Sequence, residues 1–166
     1  YSHVFGFSES SSLGVAALVA DPAGRFAMFS AIGADGTKYG LVAPFHWEGN
    51  RVYFTYVYRL SPGTWGMWIY DQAAGTWTLV GVLDLPAGWG KLAATSVTGV
   101  DWYGPNAPTC SAYPSADLLV YPAVGYVGST ATTPSLIRHG TKPGDCRSET
   151  SSAYTYWTRY RTGAGA

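Results

Sequence analysis

Charge is scarce in this 166-residue chain. Asp, Glu, Lys and Arg make up 12 % of it, with ten basic residues against ten acidic. The ordinary share in soluble domains is about 25 %. This balance argues against a nucleic-acid binder, whose affinity rests on neutralising phosphates. It argues equally against a polybasic segment for anionic membrane surfaces. Long apolar runs are also missing. None reaches the roughly 18 residues that a membrane helix needs, so no membrane insertion is expected. The start, "YSHVFGFSES", has no basic stretch followed by an apolar block and shows no signal peptide, although a mature or excised domain would have lost one.

Groups that carry catalysis or metal binding are few. Glu9 and Glu48 sit in turns and Glu149 in a long polar stretch, so no strand is expected to present the paired carboxylates of a glycoside hydrolase. Asp71, Asp84 and Asp101 fall at strand ends, where aspartate is first of all a turn former. His3, His46 and His139 lie in unrelated segments without metal-ligand spacing, and no Gly-x-Ser-x-Gly elbow occurs. No Asp-x-Asp-x-Asp-Gly run supports a calcium loop. The expectation therefore leans to a non-catalytic protein with no metal and no cofactor, with an enzyme built on two of the aspartates Asp71, Asp84 and Asp101 as the minority alternative. Only two cysteines are present, in loop-like contexts, "NAPTCSAYP" and "KPGDCRSE". A zinc site would need more ligands, and buried free cysteines favour apolar runs. A Cys110–Cys146 disulfide is expected, constraining the unfolded chain by roughly 4 kcal/mol and placing the protein in an oxidising, extracellular compartment.

What the chain does have is aromatic rings, 16 % of its residues, and turn chemistry. No helical period is visible. Short β-prone runs over 2–7, 13–20, 25–32, 38–47, 51–60, 65–71, 77–85, 91–103, 117–127 and 153–161 alternate with "ADPAG", "GADGT", "WEGN", "LSPGT", "DQAAGT" and "LPAGWG". The pattern predicts an all-β fold, an antiparallel two-sheet β-sandwich of jelly-roll type, in one domain over 1–166. Residues 104–117 and 129–152 read as long loops, and loops beyond about 15 residues are more often functional than accidental.

Strand faces follow from the period of two. Val52, Phe54, Tyr56, Tyr58 and Leu60 are expected to face the core, with Arg51, Tyr53, Thr55, Val57 and Arg59 nearer solvent. In 153–161, Trp157 falls on the polar side beside Arg159 and Arg161. Trp68 and Trp77 are assigned to packing in a hairpin, and Trp65 can lie either in the core or at a rim. Trp47, Trp89 and Trp102 with Tyr103 sit at turns or loops, as exposed rings or as lids over a sheet end. Exposed rings at loop tips suit sugars, whose C–H faces stack on aromatics while polar neighbours bond the hydroxyls. The expected ligand surface is Trp89, Asp101, Trp102 and Tyr103, with Asp101 accepting from a hydroxyl. A second surface is expected around Tyr53, Trp157 and Arg159.

The succession "WEGNRVYFTYVYRLSPGTWGMWIYDQAAGTWTLVGVLDLP…VDWYG…C" over roughly residues 38–125 resembles a family of secreted bacterial β-sandwich domains of unknown function. It is also broadly similar to the concanavalin-like jelly rolls of lectins and carbohydrate-binding modules. The resemblance implies a sandwich fold and carries over no catalytic residue. Two functions are expected from these features. The first is a secreted module that binds a glycan or another cell-surface polymer. The alternative is a structural or assembly subunit of an extracellular fibre or particle, with other protein subunits as partners.

Overall fold

A computed structural model of the chain describes residues 1–100, 109, 112, 115–135, 148–154 and 157–162, with 148–154 and 162 described by their backbone. The expected all-β, antiparallel character is present throughout these residues. The chain divides into two compact units, Tyr1–Val97 and Thr98–Ala166.

In the first unit, β1 (Ser2–Phe7), β2 (Ser10–Asp21), β3 (Gly24–Ile32), β4 (Lys38–Pro44) and β8 (Leu92–Gly99, whose last two residues fall past the unit's end at Val97) form a sheet in the order β4-β3-β2-β1-β8. A second sheet, β5-β6-β7, is built from β5 (Tyr53–Ser61), β6 (Thr64–Asp71) and β7 (Thr76–Asp84). Both sheets contribute to one hydrophobic core. Phe5, Phe7, Ala16, Ala27, Phe29 and Ala31 come from the first, and Trp65, Met67, Ile69, Val80 and Leu83 from the second. Large rings lie beside small residues. The Phe5 ring covers Gly14, where an added Cβ would stand 2.1 Å from it, and Phe29 pairs with Ala16. His3 shares this inner side and meets the Phe5 ring edge-on at 5.9 Å. Burial lowers its pKa below 6.5 and favours the neutral imidazole at neutral pH.

The face assignment of β5 is the reverse of the sequence expectation. Val52, Phe54, Tyr56, Tyr58 and Leu60 are exposed, while Tyr53 and Val57 pack against the core. Register explains it. Val57 pairs with Met67 and Thr55 with Ile69, and Met67 and Ile69 are completely buried. Partners across a ladder share a face, so the buried β6 residues set the side on which β5 places its own. Both faces of β5 are apolar enough that alternation alone did not discriminate them.

In the second unit, β9 (Ala116–Val120), β12 (Ser148–Tyr154) and β13 (Trp157–Thr162) form a sheet in the order β12-β13-β9. A separate β10 (Gly125–Val127) and β11 (Thr130–Thr132) make a small hairpin. The single run expected over 117–127 is thus two strands, β9 and β10, with Pro122 between them. Likewise 153–161 is not one strand, since Tyr154 pairs with Trp157 and the chain reverses there. Glu149, expected in a loop, lies in β12 opposite Arg161.

Candidate functional site

The outer face of β5-β6-β7 carries the most distinctive surface among the described residues. Two hairpins position it. At the β6–β7 turn, Asp71 Oδ1 accepts from the amides of Ala73 (2.9 Å) and Ala74 (3.1 Å). Gly75 then takes a φ of 67°, open to glycine at little cost, and its N–H donates to the Asp71 carbonyl at 2.8 Å. Those amide donors, with Arg51 beyond them, hold the Asp71 carboxyl below its ordinary pKa. At the β5–β6 turn Gly63 has a φ of 85°.

The resulting register stacks the outer residues in rows: Phe54–Tyr70–Trp77, Tyr56–Trp68–Leu79 and Tyr58–Gly66–Val82. The missing side chain in the last row is used, because the Trp68 ring lies over Gly66, where an added Cβ would come within 2.3 Å of it. The rings touch along and across strands. Tyr56 and Tyr58 lie 6.0 Å apart and nearly parallel at 11°. Trp77 is 5.0 Å from Tyr70 and 6.1 Å from Tyr56, and Phe54 is 6.2 Å from Tyr70. Trp77 is 58 % exposed and Tyr58 52 %, while Trp68 and Tyr70 are half-buried. No charged residue occupies these rows. A polar pair closes one end, where the Thr64 hydroxyl donates to Asp84 Oδ1 at 2.9 Å. Such a face offers apolar ring planes interrupted by three phenol hydroxyls on a rigid ladder. It can stack a flat ligand and bond its rim.

Of the residues expected at a ligand surface, Trp89 and Tyr53 are placed otherwise, packed against the core. Trp89 stands on a 3₁₀ turn, Ala87–Trp89, and its half-buried ring closes one end of the core against Phe7 (5.1 Å) and Tyr39 (5.5 Å). The backbone around it is stitched down: the Glu9 amide donates to the Trp89 carbonyl at 3.2 Å and that of Ser8 to Lys91 at 2.7 Å. Trp47 is a lid as well, with its indole N–H donating to the Val19 carbonyl at 3.1 Å and Arg25 lying 4.8 Å from its ring centre. Tyr53 packs against the first unit's core, touches Phe45 at 5.7 Å, and its hydroxyl accepts from the Glu48 amide at 2.9 Å. Asp101, Trp102, Tyr103, Cys110 and Cys146 lie outside the described residues.

In the second unit, Trp157 and Arg159 do share a face of β13, as the alternation predicts. Trp157 meets Tyr121 at 5.5 Å. Arg159 grips Asp117 through two hydrogen bonds, one of 2.7 Å from Nε to Oδ1. Arg161 adds a third cationic contact at 3.5 Å. The bond from Arg159 is the main reason that the Asp117 carboxyl is held below its usual pKa. Its charge is already paired, so this surface offers less to a neutral ligand than the aromatic rows do.

The aromatic face was missed because Trp77 and the large residues of β5 read as core. The available signal was the excess of apolar residues on both sides of one three-stranded sheet, more than one core can bury. Among proteins of known identity, no family profile and no curated sequence matches the chain. Among solved structures it is similar to the crystal structure of aspergilloglutamic peptidase from Aspergillus niger, at 10 % identity over 98 % of each chain and a TM-score of 0.51. At that identity the likeness shows the fold alone.

Proposed function

We propose that this chain is a secreted, non-catalytic module that binds a neutral glycan on the outer face of β5-β6-β7. The observation that carries the reading is the array of contacting, outward rings centred on Trp77, Tyr70 and Tyr56. Sugar rings present apolar C–H faces and hydroxyl edges, which matches ring planes bordered by phenol groups. The absence of charge in the rows favours a neutral polymer. The ladder also fixes the rings in advance, which lowers the entropic cost of binding. In this reading the fold is of the jelly-roll type and resembles lectin and carbohydrate-binding modules. Its Cys110–Cys146 bridge forms in an extracellular compartment. Intact mass after alkylation without reductant should show no modified thiol, and two modified thiols would remove both the bridge and the inferred compartment.

Trp77→Ala tests the site. On a panel of neutral polysaccharides, affinity should fall by roughly 1.5–3 kcal/mol, the value of one large apolar side chain. Stability should change by less than about 1 kcal/mol, since the ring has only exposed-face neighbours to lose. Unaltered binding by Trp77→Ala, or no binding of any glycan by the parent protein, sinks the proposal. The second reading, a subunit of an extracellular assembly, draws on the aliphatic members of the same face, Leu60, Leu79 and Val82, all exposed. It requires assemblies larger than a dimer, lost in Trp77→Ala.

A further inference from the structure

We propose that two copies of this chain join edge to edge through β7, antiparallel about a two-fold axis at Thr78. Among the described residues β7 pairs with β6 alone, so its other edge presents backbone N–H and C=O groups without a ladder. Natural proteins guard such edges with charges, proline or a covering element. Here no charged residue and no proline occurs between Asp71 and Asp84. Thr76, Trp77, Thr78 and Leu79 are moreover exposed on both faces of the strand, so that a second strand meets no obstruction from the core. The bulge opposite Met67 and Trp68 leaves Val80 out of register and ends the flat segment at Leu79. The other edge of this sheet is less suited. Strand β5 carries Arg59, and its ladder is broken between Arg59 and Ser61.

The segment "TWTL" is self-complementary, and this selects a second copy as the occupant. With Thr78 facing Thr78 of the other copy, each Trp77 lies opposite a Leu79, giving apolar pairs on the outer face and threonine on the inner one. Cross-strand pairs of this type add to the hydrogen bonds of the joined edge. The pairing would also unite the two aromatic faces into one of double width. The joined segment is short, at the low end of specific interfaces, so the dimer should exchange rapidly and dissociate on dilution.

The experiment is sedimentation of the chain across a concentration series, with Thr78→Lys, Thr78→Glu and their equimolar mixture. The parent should move from 17.7 kDa toward twice that mass as concentration rises. Each single variant should associate at least about tenfold more weakly, because like charges meet at the axis. The mixture should regain association, because Lys then faces Glu. Amide exchange of Thr76–Leu79 in the parent, which needs no variant, should slow with concentration. A parent monomeric throughout, a mixture that associates no better than either variant, or exchange independent of concentration would overturn the proposal. None of these readouts involves a glycan, so they stand apart from the binding test.

Discussion

Trp65→Ala should lower the unfolding free energy by about 3–5 kcal/mol, the cost of removing a buried aromatic ring whose space cannot fully collapse. Trp65 is 4 % exposed and lies between the two sheets of the first unit. Its ring meets Phe7 edge-on at 5.7 Å, and the Arg59 guanidinium lies 5.9 Å from its centre. The neighbours are held by two ladders: Trp65 pairs with Arg59 on one side and Leu83 on the other. A rigid surround of this kind relaxes little, which puts the substitution toward the upper end of the range. Domains of ordinary size have a net stability of about 5–15 kcal/mol, so the loss is a large share of the whole. Urea unfolding followed by tryptophan fluorescence measures it. A change below about 1 kcal/mol would mean that the two sheets do not share this core.

The contrast between Trp65 and Trp77 shows how far the sequence could be read. Strands β1, β3, β6 and β7 were legible to within about a residue or two, because glycine, proline and aspartate mark their ends and alternation holds between them. Which face of β5 was buried was not legible, since "VYFTYVYRL" is apolar on both sides. The decision came from its partner: Met67 and Ile69 are enclosed, and their register with Val57 and Thr55 carries β5 with them. The hairpin of β12 and β13 was hidden for a different reason. Its reversal between Tyr154 and Trp157 has no glycine, proline, asparagine or aspartate to signal it. Strand β12, "SETSSAY", contains just two residues with an apolar or aromatic side chain, Ala153 and Tyr154. Pairing with β13, rather than apolar alternation in its sequence, is what defines it as a strand. Trp89 raised a third difficulty. A tryptophan between glycines has no bulky sequence neighbours to cover it, yet the chain segments that do cover it, at Phe7 and Tyr39, lie far away in sequence.

That placement makes Trp89→Ala the counterpart of Trp77→Ala, with the effects exchanged. The ring contacts Phe7 and Tyr39 and lies against the backbone at Gly33, where an added Cβ would stand 3.3 Å from it. Truncation would open one end of the core to water and leave Phe7 without a neighbour on that side. Because the ring is half-buried, the expected loss is about 3 kcal/mol, at the lower end for a large aromatic residue. The 86–91 segment should loosen at the same time, since the ring and three backbone or hydroxyl bonds hold it to the β1–β2 turn. Amide exchange at Ser8, Glu9 and Lys91 would report this loosening directly. Glycan affinity, measured well below the variant's lowered melting temperature, should be that of the parent, because the ring is turned into the core and not toward the outer face of β5-β6-β7. Comparing the two variants therefore separates a ring that closes the core from a ring that meets a ligand. If Trp89→Ala melts like the parent and loses glycan binding, the ring acts at a ligand surface, as its position in "PAGWGK" had suggested, and the lid assignment fails.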